Sequence, residues 1–217
     1  MKIVRQLYPE TLVRRKPPRN LVVGDDYLFG GPTYDRVIKA SYLNYFKNVI
    51  VSKDGIILKY LLPQKEFITC YSDDFKHYRF RYILHVLLRY RKHQADSAKN
   101  YLLIFDNYSG PKGFAHWLSD GLTRLVELSD ELSNFTVLVP YYFKSEPLYQ
   151  QTLSYFNIAD IEYIDKTCYY KVPNLFVANH IAESGNYVPE NVRKLRDFIW
   201  RKSNIVLTKG FGEKIYI

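Results

Sequence analysis

From residue 101 onward, short apolar runs alternate with amphipathic segments, and this rhythm limits the folds that the chain can adopt. Four runs predict strands: YLLIF (101–105), FTVLVP (135–140), IEYI (161–164) and NLFVAN (174–179). Three amphipathic segments predict helices: one from about 113, one over 146–156 and one over 189–203. Pro147 and Pro189 lie near helix starts, where a missing N–H is tolerated. The pattern predicts an α/β fold, with a Rossmann-like parallel sheet flanked by helices.

Residues 1–72 are expected to form a β-rich leading section that packs on a main domain at 73–217. In NVIVSKDGIILKYLL (48–62), two apolar runs flank KDG, which predicts a β-hairpin. The segment 73–94 begins with acidic residues, ends in a basic cluster and carries apolar residues at helical spacing. These features predict a helix over its whole length.

Charge and cysteine content narrow the classes of partner and compartment. The formal net charge of +9 permits anionic partners such as nucleotides, nucleic acids and lipid headgroups. The tyrosines are scattered through predicted strands and helices, so nucleic-acid binding is not expected. Cys70 and Cys168 form no metal or CxxC spacing, which indicates a reducing, cytoplasmic compartment and no metal site. No secretory signal or membrane span is expected either.

The loop DNYSGPKGFAHW (106–117) follows the first predicted strand of the main domain and leads into a helix. Ligands of parallel sheets bind beyond the carboxyl ends of strands, where such loops lie. The chain contains no GxGxxG and no GxxxxGK[ST], so neither a dinucleotide enzyme nor a P-loop enzyme is indicated. His180, in NLFVANHIAESGNYVPE, lies on a second loop at the same edge, where lining a cleft competes with simple exposure.

The helix that begins near 113 carries three polar side chains on one face. His116, Asp120 and Arg124 follow i, i+4, i+8 spacing, which drifts only about 40° per step. A histidine in the first turn lies at the positive end of the helix dipole, which favours its neutral, proton-accepting form. His116 with Asp120 is therefore a candidate general base for an alcohol nucleophile. A surface ladder that satisfies only itself is the alternative, and spacing alone favours it.

The order of several motifs adds a resemblance. FAHWLSDGLTRL, VLVP, YQQTLSYFNI, NLFVAN…VPENVRKLRDF and GEKIYI follow one another between about 100 and 217. This series resembles glycosyltransferase family 61, the capsular polysaccharide biosynthesis type. In that family a (Y/F)xHWLxDxLxRL segment precedes a strand that ends in proline and a PExxxxLR helix.

The resemblance implies transfer of a sugar from a nucleotide-sugar donor to a hydroxyl acceptor in capsular or lipopolysaccharide synthesis. It implies inversion at the anomeric carbon without an obligatory metal or cofactor, on the acceptor-side half of a GT-B fold. His116 and Asp120 match the motif's catalytic positions. The candidate substrate-binding residues are Trp117, Arg124, Asn107 and His180.

Family members continue past the strand that matches GEKIYI into a nucleotide-binding half, which is expected to be absent here. A shortened reading frame, a half that works with a partner and an inactive descendant are three alternatives. A different class of function also stays open: a noncatalytic basic α/β module that binds a carbohydrate or another anionic partner. The resemblance further allows peripheral association with the inner face of the cell membrane.

Overall fold

The computed structural model describes residues 1–14, 22, 24, 35–68, 73–106, 113–182 and 186–203, with only the backbone of 73–80. The strands in these residues are β1 (Lys2–Tyr8), β2 (Thr11–Val13), β3 (Arg36–Ile38), β4 (Ser41–Val51), β5 (Ile57–Lys59), β6 (Leu62–Pro63), β7 (Arg91–Gln94), β8 (Tyr101–Leu103), β9 (Thr136–Pro140), β10 (Asp160–Ile164) and β11 (Cys168–Ala178). The α-helices are α1 (Asp73–Arg89), α2 (Phe114–His116), α3 (Thr123–Glu127), α4 (Pro147–Ser154) and α5 (Pro189–Ser203). A π-helical segment, Trp117–Leu122, joins α2 to α3.

Nine of these strands form one mixed sheet. Its main path runs β10-β9-β8-β11-β4-β5-β6, while β1 pairs with β4 and β7 pairs with β11. The strands β10, β9, β8 and β11 run parallel to one another, as the alternating pattern predicts. The mixed α/β class and the mostly parallel central sheet are therefore confirmed. No helix among the described residues is long and apolar enough to cross a membrane.

The leading section contributes strands to this same sheet. β4 pairs antiparallel with β11 from Tyr170–Val51 to Ala178–Leu43. β4 also pairs with β5 across the predicted hairpin, where Gly55 has a φ of +76° that a glycine adopts without strain. The sheet is thus continuous across the boundary expected at residue 72.

Two elements differ from the sequence-based prediction. The helix expected over 73–94 ends at Arg89, and Arg91–Gln94 forms β7, parallel to β11. β11 itself begins at Cys168, six residues before the predicted strand. Pro173 lies between the stretch that pairs with β7, which ends at Lys171, and the stretch that pairs with β8, which begins at Leu175. The N–H that Pro173 lacks therefore falls between the two partner strands, where neither needs it. The strand continues through a proline, a residue that usually interrupts a strand.

Both faces of the central strands are buried, with alternate residues in different cores. Leu102 and Ile104 belong to a cluster with the helix residues Trp117, Leu125 and Leu153. On the opposite face, Tyr101, Leu103 and Phe105 pack with Phe46 and Val49 of β4. The second core is therefore built jointly by the leading section and the parallel strands, as strand alternation requires.

We expect a fragment that begins at residue 73 not to fold cooperatively. The fragment would lack the backbone partner of β11 along β4 and the core residues Phe46, Val49 and Val51. Urea denaturation followed by circular dichroism is the measurement, with the full chain as the control. A sigmoidal transition of the fragment, with a slope in proportion to its size, would show that the boundary at 72 separates two independent units.

Candidate functional site

The candidate site is carried by one continuous helical stretch, α2, the π-helical segment and α3, which we call the composite helix 114–127. π-Turns inside α-helices are rare and occur often at functional sites. Here the wide turn accommodates the ring of Trp117, which is fully buried against Phe143 at a centroid distance of 4.8 Å. A Cβ at Gly121 would lie 2.7 Å from Trp117 Cζ3, so only glycine fits at this position.

His116 and Asp120 form a hydrogen-bonded pair on the composite helix. His116 Nδ1 donates to Asp120 Oδ2 at 3.0 Å, and Ser119 Oγ donates to Asp120 Oδ1 at 2.9 Å. The carboxylate accepts, so the hydrogen lies on Nδ1 and the neutral ring carries its lone pair on Nε2. The His116 side chain is 33% exposed, whereas that of Asp120 is only 3% exposed. A buried carboxylate thus orients an imidazole that reaches the surface.

Arg124 is the buried centre of the site. Its Nε donates to Asp120 O at 2.6 Å, while Nη1 donates to Ala178 O at 3.3 Å and Nη2 to Ile104 O at 2.5 Å. Burial lowers the pKa of Arg124, and the charges of Asp106 and Asp120 oppose that shift. A guanidinium keeps its proton in proteins, so these two carboxylates neutralise a buried cation.

Two of the three carbonyls bound by Arg124, those of Ile104 and Ala178, lie at the ends of two parallel strands. Two residues beyond Ile104 lies Asp106, and two residues beyond Ala178 lies His180. His180 Nε2 donates to Asp106 Oδ2 at 2.6 Å. Asp106 is buried and the His180 side chain is 15% exposed, so this second pair is deeper than the first. Arg124 therefore links two histidine–carboxylate pairs at the carboxyl edge of the sheet.

A third strand end supplies Tyr142, two residues beyond β9. Burial raises the pKa of Tyr142, and the charges of Tyr149 and Asp106 raise it further. Its hydroxyl is buried and has no hydrogen-bond partner among the described protein atoms. A buried polar group without a partner is uncommon. Tyr142 thus presents a protonated hydroxyl near the second histidine–carboxylate pair.

A cavity of about 300 Å³ opens beside His180, between β3 and the segment that follows β11. Five polar or charged residues line part of its wall: Arg36, Lys39, Glu66, Asn179 and Asn186. This volume is at the lower end of small-molecule sites. The cavity suits a small polar ligand held beside the His180–Asp106 pair.

The structure shows which of the predicted site residues lie together. His116, Asp120 and Arg124 come together as the helical spacing predicts, and His180 joins them through Asp106. Asn107 lies outside the described residues. The grouping supports a built site over a self-satisfying surface ladder, because Asp120 and Arg124 are buried.

Trp117 and Arg124 require a correction, since both were expected to bind substrate. Trp117 is fully buried and donates from Nε1 to Thr152 Oγ1 at 2.9 Å. Arg124 is buried and spends its donors on backbone carbonyls. Both residues therefore hold the site in place from within the core and do not face a ligand.

Asp106 and Tyr142 were not among the predicted residues. Both lie two or three residues beyond the end of a buried strand, which is the sequence signal that would have singled them out. Among the described residues, no group of three or more histidine, cysteine, aspartate or glutamate side chains is placed to hold a metal ion. The chemistry available at this edge is proton transfer by imidazole and electrostatic support by the Arg124 cluster.

Comparison of the chain with protein-family models, with curated proteins and with solved structures finds no match in any of the three. The functional conclusion therefore depends on the geometry of the site and on the motif resemblance.

Replacement of Gly121 by alanine should destabilise the fold by about 1–2 kcal/mol. The new methyl group would collide with the buried ring of Trp117, and overpacking of this kind costs about 1–3 kcal/mol, partly offset by alanine's helix propensity. Urea denaturation measures the change, with Ala115→Ser on the exposed side of the same helix as the control. Unchanged stability of Gly121→Ala would mean that the Trp117 packing described above is incorrect.

Arg124→Lys should cost about 3 kcal/mol even though it keeps the positive charge. A lysine ammonium cannot reach the three separate carbonyls that the planar guanidinium binds, and disrupting a buried ionic group costs about 3–5 kcal/mol. Thermal and urea unfolding give the measurement, with Arg201→Lys at an exposed position as the matched control. Equal losses in the two variants would contradict the central role of Arg124.

Proposed function

We propose that the protein is a glycosyltransferase that transfers a sugar from a nucleotide-sugar donor to a hydroxyl acceptor in surface polysaccharide synthesis. The observation that carries the proposal is the His116–Asp120 pair, in which a buried carboxylate orients the imidazole through a hydrogen bond at the carboxyl edge of parallel strands. This pair lies within the motif FAHWLSDGLTRL, which resembles that of glycosyltransferase family 61. The resemblance to one half of a GT-B enzyme is part of the same proposal.

In the proposed reaction, His116 acts as the general base. Its Nε2 accepts the proton of the acceptor hydroxyl as the hydroxyl oxygen forms a bond to the anomeric carbon of the donor. The bond from that carbon to the phosphate oxygen breaks at the same time, and the nucleotide leaves with the electron pair. One in-line displacement inverts the anomeric configuration, which requires that donor and acceptor be held together.

Asp120 keeps His116 in the reactive tautomer by accepting the Nδ1 hydrogen. Arg124 fixes the peptide of Asp120 and thereby the position of the pair. In the cavity beside His180, Arg36, Lys39 and Asn179 are suited to hydrogen bonds with the hydroxyl or carboxylate groups of a carbohydrate. His116 does not line this cavity. We therefore place there the part of the acceptor away from its reacting hydroxyl, which extends out of the cavity to His116, and we expect the reaction in the cytoplasm.

The same cavity supports a second candidate function, a noncatalytic module that binds a carbohydrate or another anionic ligand. Two cations line its wall together with asparagine side chains. Binding of this kind requires the cavity but not the basicity of His116. The two functions are therefore separable by variants at the two places.

The test is transfer from a panel of labelled nucleotide sugars to water and to simple sugar acceptors. The intact protein should release free nucleotide, and His116→Ala should lower that rate about a hundredfold or more, the usual contribution of a general base. His85→Ala, an exposed histidine on α1, is the matched control and should keep full activity.

Each outcome has a distinct meaning. Full activity of His116→Ala would remove His116 from the mechanism. Absence of both turnover and nucleotide-sugar binding, in the protein alone and in the protein mixed with a partner that supplies a nucleotide-binding half, would contradict the glycosyltransferase proposal. Carbohydrate binding without turnover, weakened by Lys39→Ala but not by His116→Ala, would favour the binding module.

A further inference from the structure

An open apolar groove lies on the outer side of the composite helix 114–127, between it and α5. The groove has a volume of about 760 Å³, and its apolar lining includes Leu118, Tyr187, Val192, Leu195, Ile199 and Trp200. Leu118, Tyr187, Val192 and Trp200 are between 37% and 56% exposed. Large apolar side chains gathered on a surface mark an interaction site, whereas single exposed ones do not.

α5 is amphipathic in a way that suits an interface. Val192, Ile199 and Trp200 lie on one face at i, i+7 and i+8, and Asn191 and Leu195 are buried toward the core. The rest of the helix is strongly charged. The helix carries five basic and two acidic residues, an excess of three positive charges. The basic residues are Arg193, Lys194, Arg196, Arg201 and Lys202, and the acidic ones are Glu190 and Asp197.

The rim of the groove combines an aromatic ring with a cation. The Arg196 guanidinium carbon lies 4.9 Å from the centroid of the Trp200 ring, and both side chains line the groove. Arg201 follows directly, is exposed and lies on the same surface as Trp200, whereas Lys202 lies over the Phe198 ring at 6.0 Å, on another side of the helix. Tryptophan and basic side chains prefer the boundary between lipid headgroups and acyl chains, because each has an apolar body and a polar end.

We propose that α5 and this groove bind the surface of a bilayer that contains anionic phospholipids. Trp200 and Leu118 enter the acyl boundary, while Arg196 and Arg201 meet the phosphate groups. A helix with a basic polar face, aromatic and aliphatic residues on the other face and low overall hydrophobicity has this behaviour. The charge of the whole chain, +9, adds attraction over a longer range.

Membrane binding at this surface would hold the candidate site close to the bilayer. Ala115 and Ser119 line the groove, and they are the neighbours of His116 and Asp120 in the chain. Ser119 also donates to the Asp120 carboxylate. This docking does not depend on sugar transfer, so either proposal can fail without the other.

Co-sedimentation with vesicles tests the proposal. The protein should pellet with vesicles in which about a third of the lipid is phosphatidylglycerol and not with vesicles of phosphatidylcholine alone, and high salt should release it. The double variant Arg196→Glu with Arg201→Glu should bind at least about twentyfold more weakly, since each basic residue near the surface contributes about fivefold.

The matched control reverses two exposed charges at the other end of β11, Lys92→Glu with Lys166→Glu, and should lower binding much less. His116→Ala should bind vesicles as the intact protein does, which separates this surface from the proposed catalysis. Equal loss of binding in both double variants, or no binding of the intact protein to anionic vesicles, would overturn the proposal.

Trp200 supplies a second measurement. The sequence has two tryptophans, and the other, Trp117, is fully buried. Anionic vesicles should therefore shift the fluorescence of the intact protein to shorter wavelength, and Trp200→Phe should remove the shift while it still pellets. A concentration-dependent dimer without lipid, abolished by Arg196→Glu with Arg201→Glu, would instead make the groove an interface between two copies and would overturn the lipid proposal.

Discussion

The burial of the Arg124 guanidinium is the interaction on which the candidate site depends. A cation without water is costly unless carboxylates and hydrogen-bond acceptors surround it. Here the acceptors are the backbone carbonyls of Ile104 and Ala178, at the ends of β8 and β11, and the compensating charges are Asp106 and Asp120. One side chain of a helix therefore fixes the spacing of two strand ends. Both histidines are positioned as a result, because each is hydrogen-bonded to one of the two carboxylates.

Sequence reasoning succeeded where the determining contacts are local. The spacing of His116, Asp120 and Arg124 depends on one helix, so the pattern predicts their proximity directly. The pairing of Asp106 with His180 spans 74 positions and depends on which strands are neighbours in the sheet. No local pattern contains that information. The burial of Trp117 was also beyond the pattern, because the packing of Phe143 and Thr152 against it decides which side of the helix faces the core.

The fold shows the same division between local and distant causes. The alternation of strands and helices after residue 101 predicts the parallel strands well, since each element carries its own period. The positive charge of the stretch 91–94 favours the end of a helix. The stretch forms β7 instead, because β11 offers it backbone hydrogen bonds and the ring centroids of His93 and Tyr170 lie 4.2 Å apart. Tertiary pairing outweighs the small free energies of local preference.

Because of the π-helical turn, the geometry of the site depends on where the composite helix gains or loses a residue as well as on which residues it holds. The wider turn at Trp117–Leu122 sets the rotation between His116, which reaches the surface, and Arg124, which reaches the strand ends. The π-helical turn holds one residue more than an α-helical turn, so loss of a single residue there would restore regular α-helical bonding with little rotation of the residues beyond it. Arg124 would still point toward the sheet edge, whereas loss of a residue from the flanking α-helical turns would rotate it by roughly 100°. Among related chains, this turn is therefore the place in the composite helix where a change in length is easiest to accommodate.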